Sequence, residues 1–128
     1  MREILFRGKR VDNGEWVYGY LCHGEYGKVF ILYDNDAVIT SKKNELTSWG
    51  FIEVDAETVG QYTGIKDKNG KGIYEGDIIR FIKENCLVNF VENDCAFRIE
   101  VDGRISTALR KAHSKDYKVI GSIYDGVD

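Results

Sequence analysis

The stretch "GQYTGIKDKNGKGIYEGDIIRF", residues 60–81, poses a choice between a ligand-binding loop and a turn of a β protein. A phosphate-binding loop requires G-x4-G-K-[ST] between a strand and a helix, so that backbone N–H groups and the helix N-terminus converge on the anion. Here five residues separate Gly64 from Gly70, Lys71 precedes Gly72 instead of Ser or Thr, and a strand pattern follows. A calcium loop beginning at Asp67 would place Asn69 third and Gly72 sixth, as the sharp turn demands. Lys71 would then occupy the fifth, ligating position and Ile78 the twelfth, where a bidentate Glu belongs. The residues fit a hairpin better: "YTGI" and "GIYEGDIIRF" flank "KDKNGK", and Asn69-Gly70 tolerate the positive φ of a tight turn. Lys66, Lys68 and Lys71 become charge on an exposed tip. Glu75 and Asp77, two apart, would share a face of the returning strand, and Asp77 is read as an acceptor of turn N–H bonds beside Gly76.

The same pattern extends in both directions. In "ILFRGKRVDNGEWVYGYLC", Asn13-Gly14 separates two runs rich in aromatic and β-branched residues, a strong hairpin signal. A two-residue turn sets Val11 opposite Trp16, Lys9 opposite Tyr18, Arg7 opposite Tyr20 and Leu5 opposite Cys22 on one face. Phe6, Arg10, Val17 and Leu21 lie on the other, and Gly8 meets Gly19, where a bulge or a close approach is expected. Cations beside Trp16, Tyr18 and Tyr20 offer either a stacking surface for bases or alkyl stems laid over rings, and the second is preferred. Further strands are expected in "KVFILY", "AVIT" and "FIEV", with "SKKNELTSWG" as a polar connection. In "DAETVG", Asp55 caps at most one helical turn.

Beyond Phe81, "CLVNFV" and "CAFRIEV" continue a β-meander around Glu92-Asn93-Asp94. A tight Asp102-Gly103 turn would pair Arg104 with Val101 and Ile105 with Glu100, which mismatches the apolar faces. A longer loop or a short helix from Ser106 is therefore an equal alternative, before a last strand in "YKVIGSIY" and a frayed "DGVD". Fourteen Gly and no Pro indicate turns built on Gly, Asn and Asp. The fold class is all-β, mainly antiparallel with minor helix, divided softly into residues 1–59 and 60–128.

Composition narrows function mostly by exclusion. The chain of 128 residues is 43% hydrophobic and 30% charged, which suits one small globular unit or two lobes sharing a core. A net charge of −3 disfavours nucleic-acid binding by overall charge and leaves only local patches. Apolar runs such as Val29 to Tyr33 are far short of a membrane span, and "MREILFRGKR" carries no signal-peptide core, so a cytoplasmic protein without membrane contact is expected. Cys22, Cys86 and Cys95 have no paired spacing and are read as reduced thiols packed in the fold. No metal, cofactor or catalytic residue is assigned: there is no G-x-S-x-G, no H-E-x-x-H, and the two histidines are isolated in sequence.

Three motifs in this order, "MREILFRGKR", "VDAETVGQYTGIKDKNGKGIYEGDIIRF" and "YKVIGSIYD", closely resemble the YopX-like family of bacteriophage and prophage proteins. On this resemblance Tyr62, Thr63, Gly64, Asp67, Asn69, Gly70, Tyr74, Glu75, Gly76 and Asp77 are structural motif residues; Gly72 departs from the pattern, standing where a polar residue, often Glu, is common. The resemblance implies a C-terminal SH3-like small barrel packed with an N-terminal β-hairpin lobe, a host-cytoplasmic setting, and no established activity. Two functions are preferred to an enzyme with an unrecognised site. One is a noncatalytic protein-interaction module, a homo-oligomer with a phage or host protein partner, using Arg7, Lys9, Trp16, Tyr18, Tyr20 and the three loop lysines. The alternative is nucleic-acid binding through Lys66, Lys68 and Lys71 and the segment from Arg104 to Lys118, where five cations stand against Asp116.

Overall fold

The computed structural model describes residues 3–33 and 50–125. The expected strand "AVIT", the polar turn expected before it at Asp34-Asn35-Asp36, nearly all of "SKKNELTSWG" and the last three residues of the tail lie outside them. The chain forms two compact units that divide between Gln61 and Tyr62, and every strand pairing is antiparallel.

The first unit contains β1 (Phe6–Lys9), β2 (Trp16–His23), β3 (Val29–Tyr33) and β4 (Phe51–Val54), paired in that order. Alternation puts Val29, Ile31 and Val54 on one buried face with Phe6, Val17, Leu21 and Ile52 against them. Past its last residue, β1 turns onto β4: Arg10 bridges Val54, the Val11 N–H donates to the Glu53 carbonyl at 3.2 Å, and the Asp55 N–H donates to the Lys9 carbonyl at 2.8 Å. The four strands thus close on themselves, which satisfies most of the β4 edge. After β4, the Asp55 side chain accepts the Glu57 N–H and caps a single 3-10 turn, Ala56–Thr58, as its sequence indicates.

The β1–β2 register corrects the two-residue turn. Lys9 faces Trp16, Arg7 faces Tyr18, Gly8 faces Val17 and Phe6 faces Gly19. The turn is longer because Arg10 clamps the Asp12 carboxylate at 2.8 and 2.6 Å, Asn13 accepts the Glu15 N–H, and only Gly14 adopts positive φ, 74°. A slip of two residues keeps every side chain on its expected face, whereas a slip of one would have reversed them. The close approach expected at Gly8 exists, with a different neighbour: a Cβ there would lie 2.8 Å from a Val54 methyl.

The second unit holds most of β5 (Gly60–Lys66), with β6 (Gly72–Tyr74), β7 (Asp77–Phe81), β8 (Glu84–Val91), β9 (Ala96–Val101), β10 (Arg104–Ala108) and β11 (Tyr117–Ser122). A five-stranded sheet runs in the order β10-β9-β8-β7-β11 over a core of Ile73, Ile79, Cys86, Val88, Ile99, Leu109 and Tyr117. "GIYEGDIIRF" is two strands and not one, since Glu75 and Gly76 form a turn with Gly76 at φ 92°. Glu75 and Asp77 therefore share no strand face. The Asp102-Gly103 turn is tight, with both residues at positive φ. Its feared mismatch is repaired downstream: Arg104 pairs Val101 and Ile105 pairs Glu100, then a bulge at Ser106 shifts the register so that Thr107 pairs Ile99. A 3-10 segment, Lys111–Asp116, leads into β11, which carries its own bulge between Val119 and Gly121.

Candidate interaction surfaces

In the first unit the outward face of β1 and β2 holds the cations and rings singled out by sequence. The Arg7 guanidinium lies 4.1 Å from the centre of the Trp16 ring and the Lys9 ammonium 5.3 Å from it. The charged heads, and not only the alkyl stems, sit on the ring, where the quadrupole attracts them. Arg7 is buried, and Trp16 and Lys9 are half-buried, so this trio holds the hairpin together and offers no open platform for a base. Tyr18 and Tyr20 remain exposed. Tyr20 faces Leu32 on β3, which faces Phe51 on β4, making an apolar row across three strands with Tyr20 55% and Phe51 43% exposed. Sequence singled out Tyr20 but not Leu32 or Phe51, because the row arises only from strand register.

In the second unit Asp67 organises the loop between β5 and β6. Asp67 is 4% exposed, and its carboxylate accepts the Asn69 and Lys71 N–H groups on Oδ1, at 2.8 and 2.9 Å, and the Val119 N–H on Oδ2, at 3.0 Å. Burial pushes the Asp67 pKa up, but the three N–H donors from Val119, Lys71 and Asn69, aided by the Lys71 charge, outweigh it and hold the carboxyl below its ordinary value. The residue that imitates a calcium ligand has both oxygens committed to backbone. Gly70, at φ 82°, closes the turn with its N–H on the Asp67 carbonyl.

Asp67 also fastens the loop to distant residues. The Val119 N–H comes from β11, and the Lys68 N–H donates to the Tyr117 carbonyl at 2.9 Å. The Ser114 hydroxyl donates to the Lys66 carbonyl. Two basic segments separated by some forty residues therefore become neighbours: Lys66, Lys68 and Lys71 on the loop, and Lys111, Lys115 and Lys118 around the 3-10 segment and β11, all exposed. Arg104, the first residue of β10, is not tied to this group by any of these bonds.

The remaining motif residues hold local geometry. Tyr62 stacks on Tyr74 with ring centroids 5.3 Å apart. The Thr63 hydroxyl donates to the Ile73 carbonyl at 2.7 Å beside an irregularity where Gly64 has φ 84°. Asp77, 1% exposed, accepts the Tyr74 N–H at 2.8 Å, as expected of an acceptor beside Gly76. Gly76 donates to the Val88 carbonyl and accepts from the Ile123 N–H, tying the turn to β8 and to the segment after β11.

This motif lies within a match of residues 5–126 of the chain to the family model described as YopX protein. The chain belongs to the YopX family. No curated protein matches it. Within this YopX-family chain, the departure at Gly72 has a steric correlate, since a Cβ there would stand 3.0 Å from the Tyr62 ring. The cysteines divide: Cys86 is buried, and burial together with the Glu84 charge pushes its thiol pKa up, while Cys22 is half-buried. Cys95 corrects the expectation of packed thiols, because it is exposed at a left-handed position, φ 49°, ending the 3-10 turn Glu92–Asp94. No helix among the described residues is long and apolar enough to cross a membrane.

Proposed function

We propose that the chain is a noncatalytic interaction module of a phage or prophage, acting in the host cytoplasm and assembling with copies of itself through the outer face of β2, β3 and β4. The observation that carries this reading is the row Tyr20–Leu32–Phe51, which leaves two large aromatic side chains in water on rigid strands; aromatic residues are enriched in interface cores. Association by strand addition is disfavoured in the second unit, because β10 and β11 both carry bulges. The test is light scattering coupled to size-exclusion chromatography of the wild type and of Tyr20→Asp with Phe51→Asp. A wild-type oligomer that dissociates in the double variant, with unchanged circular dichroism, supports the reading; a wild-type monomer across the accessible concentration range overturns it.

A second reading, binding of nucleic acid through local basic patches, is favoured by one specific observation: the hydrogen bonds from Lys68 to Tyr117, Val119 to Asp67 and Ser114 to Lys66 gather two basic segments on one unit. Its test is binding to mixed-sequence DNA and RNA over a salt series, where absent or salt-insensitive binding counts against it.

A further inference from the structure

The pairing of β7 with β11 sets Arg80 opposite Lys118, and both residues are exposed. Like charges directly opposite on neighbouring strands destabilise a sheet, and no acidic side chain pairs with either among the described residues; the Arg80 guanidinium donates instead to the neutral Asn85 amide at 3.1 Å. On the far edge of β11, the groups flanking Lys118 are bonded to the loop, the Tyr117 carbonyl to Lys68 and the Val119 N–H to Asp67. Lys68, Lys118 and Arg80 thus stand on three adjacent backbone segments. Strand spacing puts such segments about 5 Å apart, so the row spans about 10 Å, comparable to a Debye length at moderate salt, and its charges act as one field.

The acid of the loop, Asp67, has both carboxylate oxygens on backbone N–H groups and makes no ion pair with Arg80 or Lys118. Ser114, bonded to Lys66, sits between Lys111 and Lys115 and extends the cluster. The exposed Tyr and Phe residues lie on other segments. On the segments bearing the row, Tyr117 is fully buried and Phe81 is half-buried beneath His113, with ring centroids 5.8 Å apart. A surface rich in cations without an open Tyr, Phe or Trp ring suits phosphates better than unstacked bases.

Resting on the nucleic-acid reading above, we infer that this end of the second unit is a sequence-independent surface for the phosphate backbone of double-stranded nucleic acid, with Arg80 and Lys118 at its centre and Lys66, Lys68, Lys111 and Lys115 around them. The like-charged pair is then relieved by the ligand instead of by a neighbour.

The test is fluorescence anisotropy with a mixed-sequence DNA duplex and its single strands, from low to moderate salt, on the wild type, Arg80→Ala with Lys118→Ala, Lys66→Ala with Lys68→Ala, and Arg104→Ala as an outlying control. Duplex binding independent of sequence, weakened about tenfold or more by the Arg80 and Lys118 pair with the logarithmic salt slope shallower by about 2, and unchanged in Arg104→Ala, is the result expected. If the loop pair weakens binding while the Arg80 and Lys118 pair leaves it intact, the nucleic-acid reading stands and this assignment falls. Tighter binding of single strands, or equal competition by heparin of matched charge, overturns the duplex assignment. No binding to any nucleic acid removes both. Thermal melts of each variant verify that the loss does not come from unfolding.

Discussion

Cations crowd one face of each unit, but they are handled in opposite ways. In the first unit, Arg7 and Lys9 converge on the Trp16 ring, and the arginine is buried there. In the second, Arg80 and Lys118 face each other in water, and no ring or carboxylate among the described residues holds either. The first arrangement seats its cations on a ring and stabilises a hairpin. The second is slightly unfavourable by itself and is tolerated because Asp67 fixes the backbone beneath it. A basic residue beside aromatic residues in sequence is thus a poor guide to a binding surface; what matters is whether the folded chain has already supplied the partner.

The largest expected effect removes the scaffold of the second arrangement. Asp67→Ala leaves three backbone N–H groups without their acceptor and should lower unfolding stability by about 3–5 kcal/mol, read by urea denaturation. The same carboxylate sets a pH dependence. Its folded pKa lies below the ordinary 3.8, so in acid the unfolded chain takes up a proton before the folded one does. The stability that Asp67 contributes is fully present above the unfolded value and disappears as pH falls through the folded one. The stability difference between wild type and Asp67→Asn should accordingly be level at neutral pH and shrink below about pH 4; a difference that grows in acid would contradict the geometry.

Next in size is the first unit. Trp16→Leu removes the ring beneath Arg7 and Lys9 and should reduce stability by about 1–3 kcal/mol, whereas Val11→Thr, at an exposed position just past β1, should change it by no more than about 0.5 kcal/mol. Equal losses would mean that the cation–ring trio contributes no more than an ordinary surface residue. Smallest, and opposite in sign, is Lys118→Glu. Replacing a like-charged pair by an attractive one across β7 and β11 should raise stability by about 0.2–1 kcal/mol, seen as a higher thermal midpoint that fades with added salt. If Lys118→Glu were destabilising, Arg80 and Lys118 would not repel as their pairing implies, and the contrast with the first unit would be lost.

Much of the fold was legible because the signals are local. Asp55 as a cap and Asn69-Gly70 within a hairpin loop both depend on a few adjacent residues, and alternation sorted the side chains of β1 and β2 onto two faces even where the register slipped by two. Glu75-Gly76 was misread as strand interior because the apolar residues on either side continue without a gap, and only the positive φ of Gly76 separates them. The turn of β7 into β8 gave no warning either: Ile82, a β-branched residue, holds φ 59° and is 76% exposed, against its own preference.

Sequence by itself determined an antiparallel β protein whose turns use Gly, Asn and Asp, and the YopX motif that marks its family. Tertiary structure alone decided which cations are committed and which are not. Pairing across strands, the bond from Val119 to Asp67 and the bond from Lys68 to Tyr117 bring together residues far apart in the chain, and hydrogen bonds at that range are specified by the whole packed unit, with no local pattern to announce them.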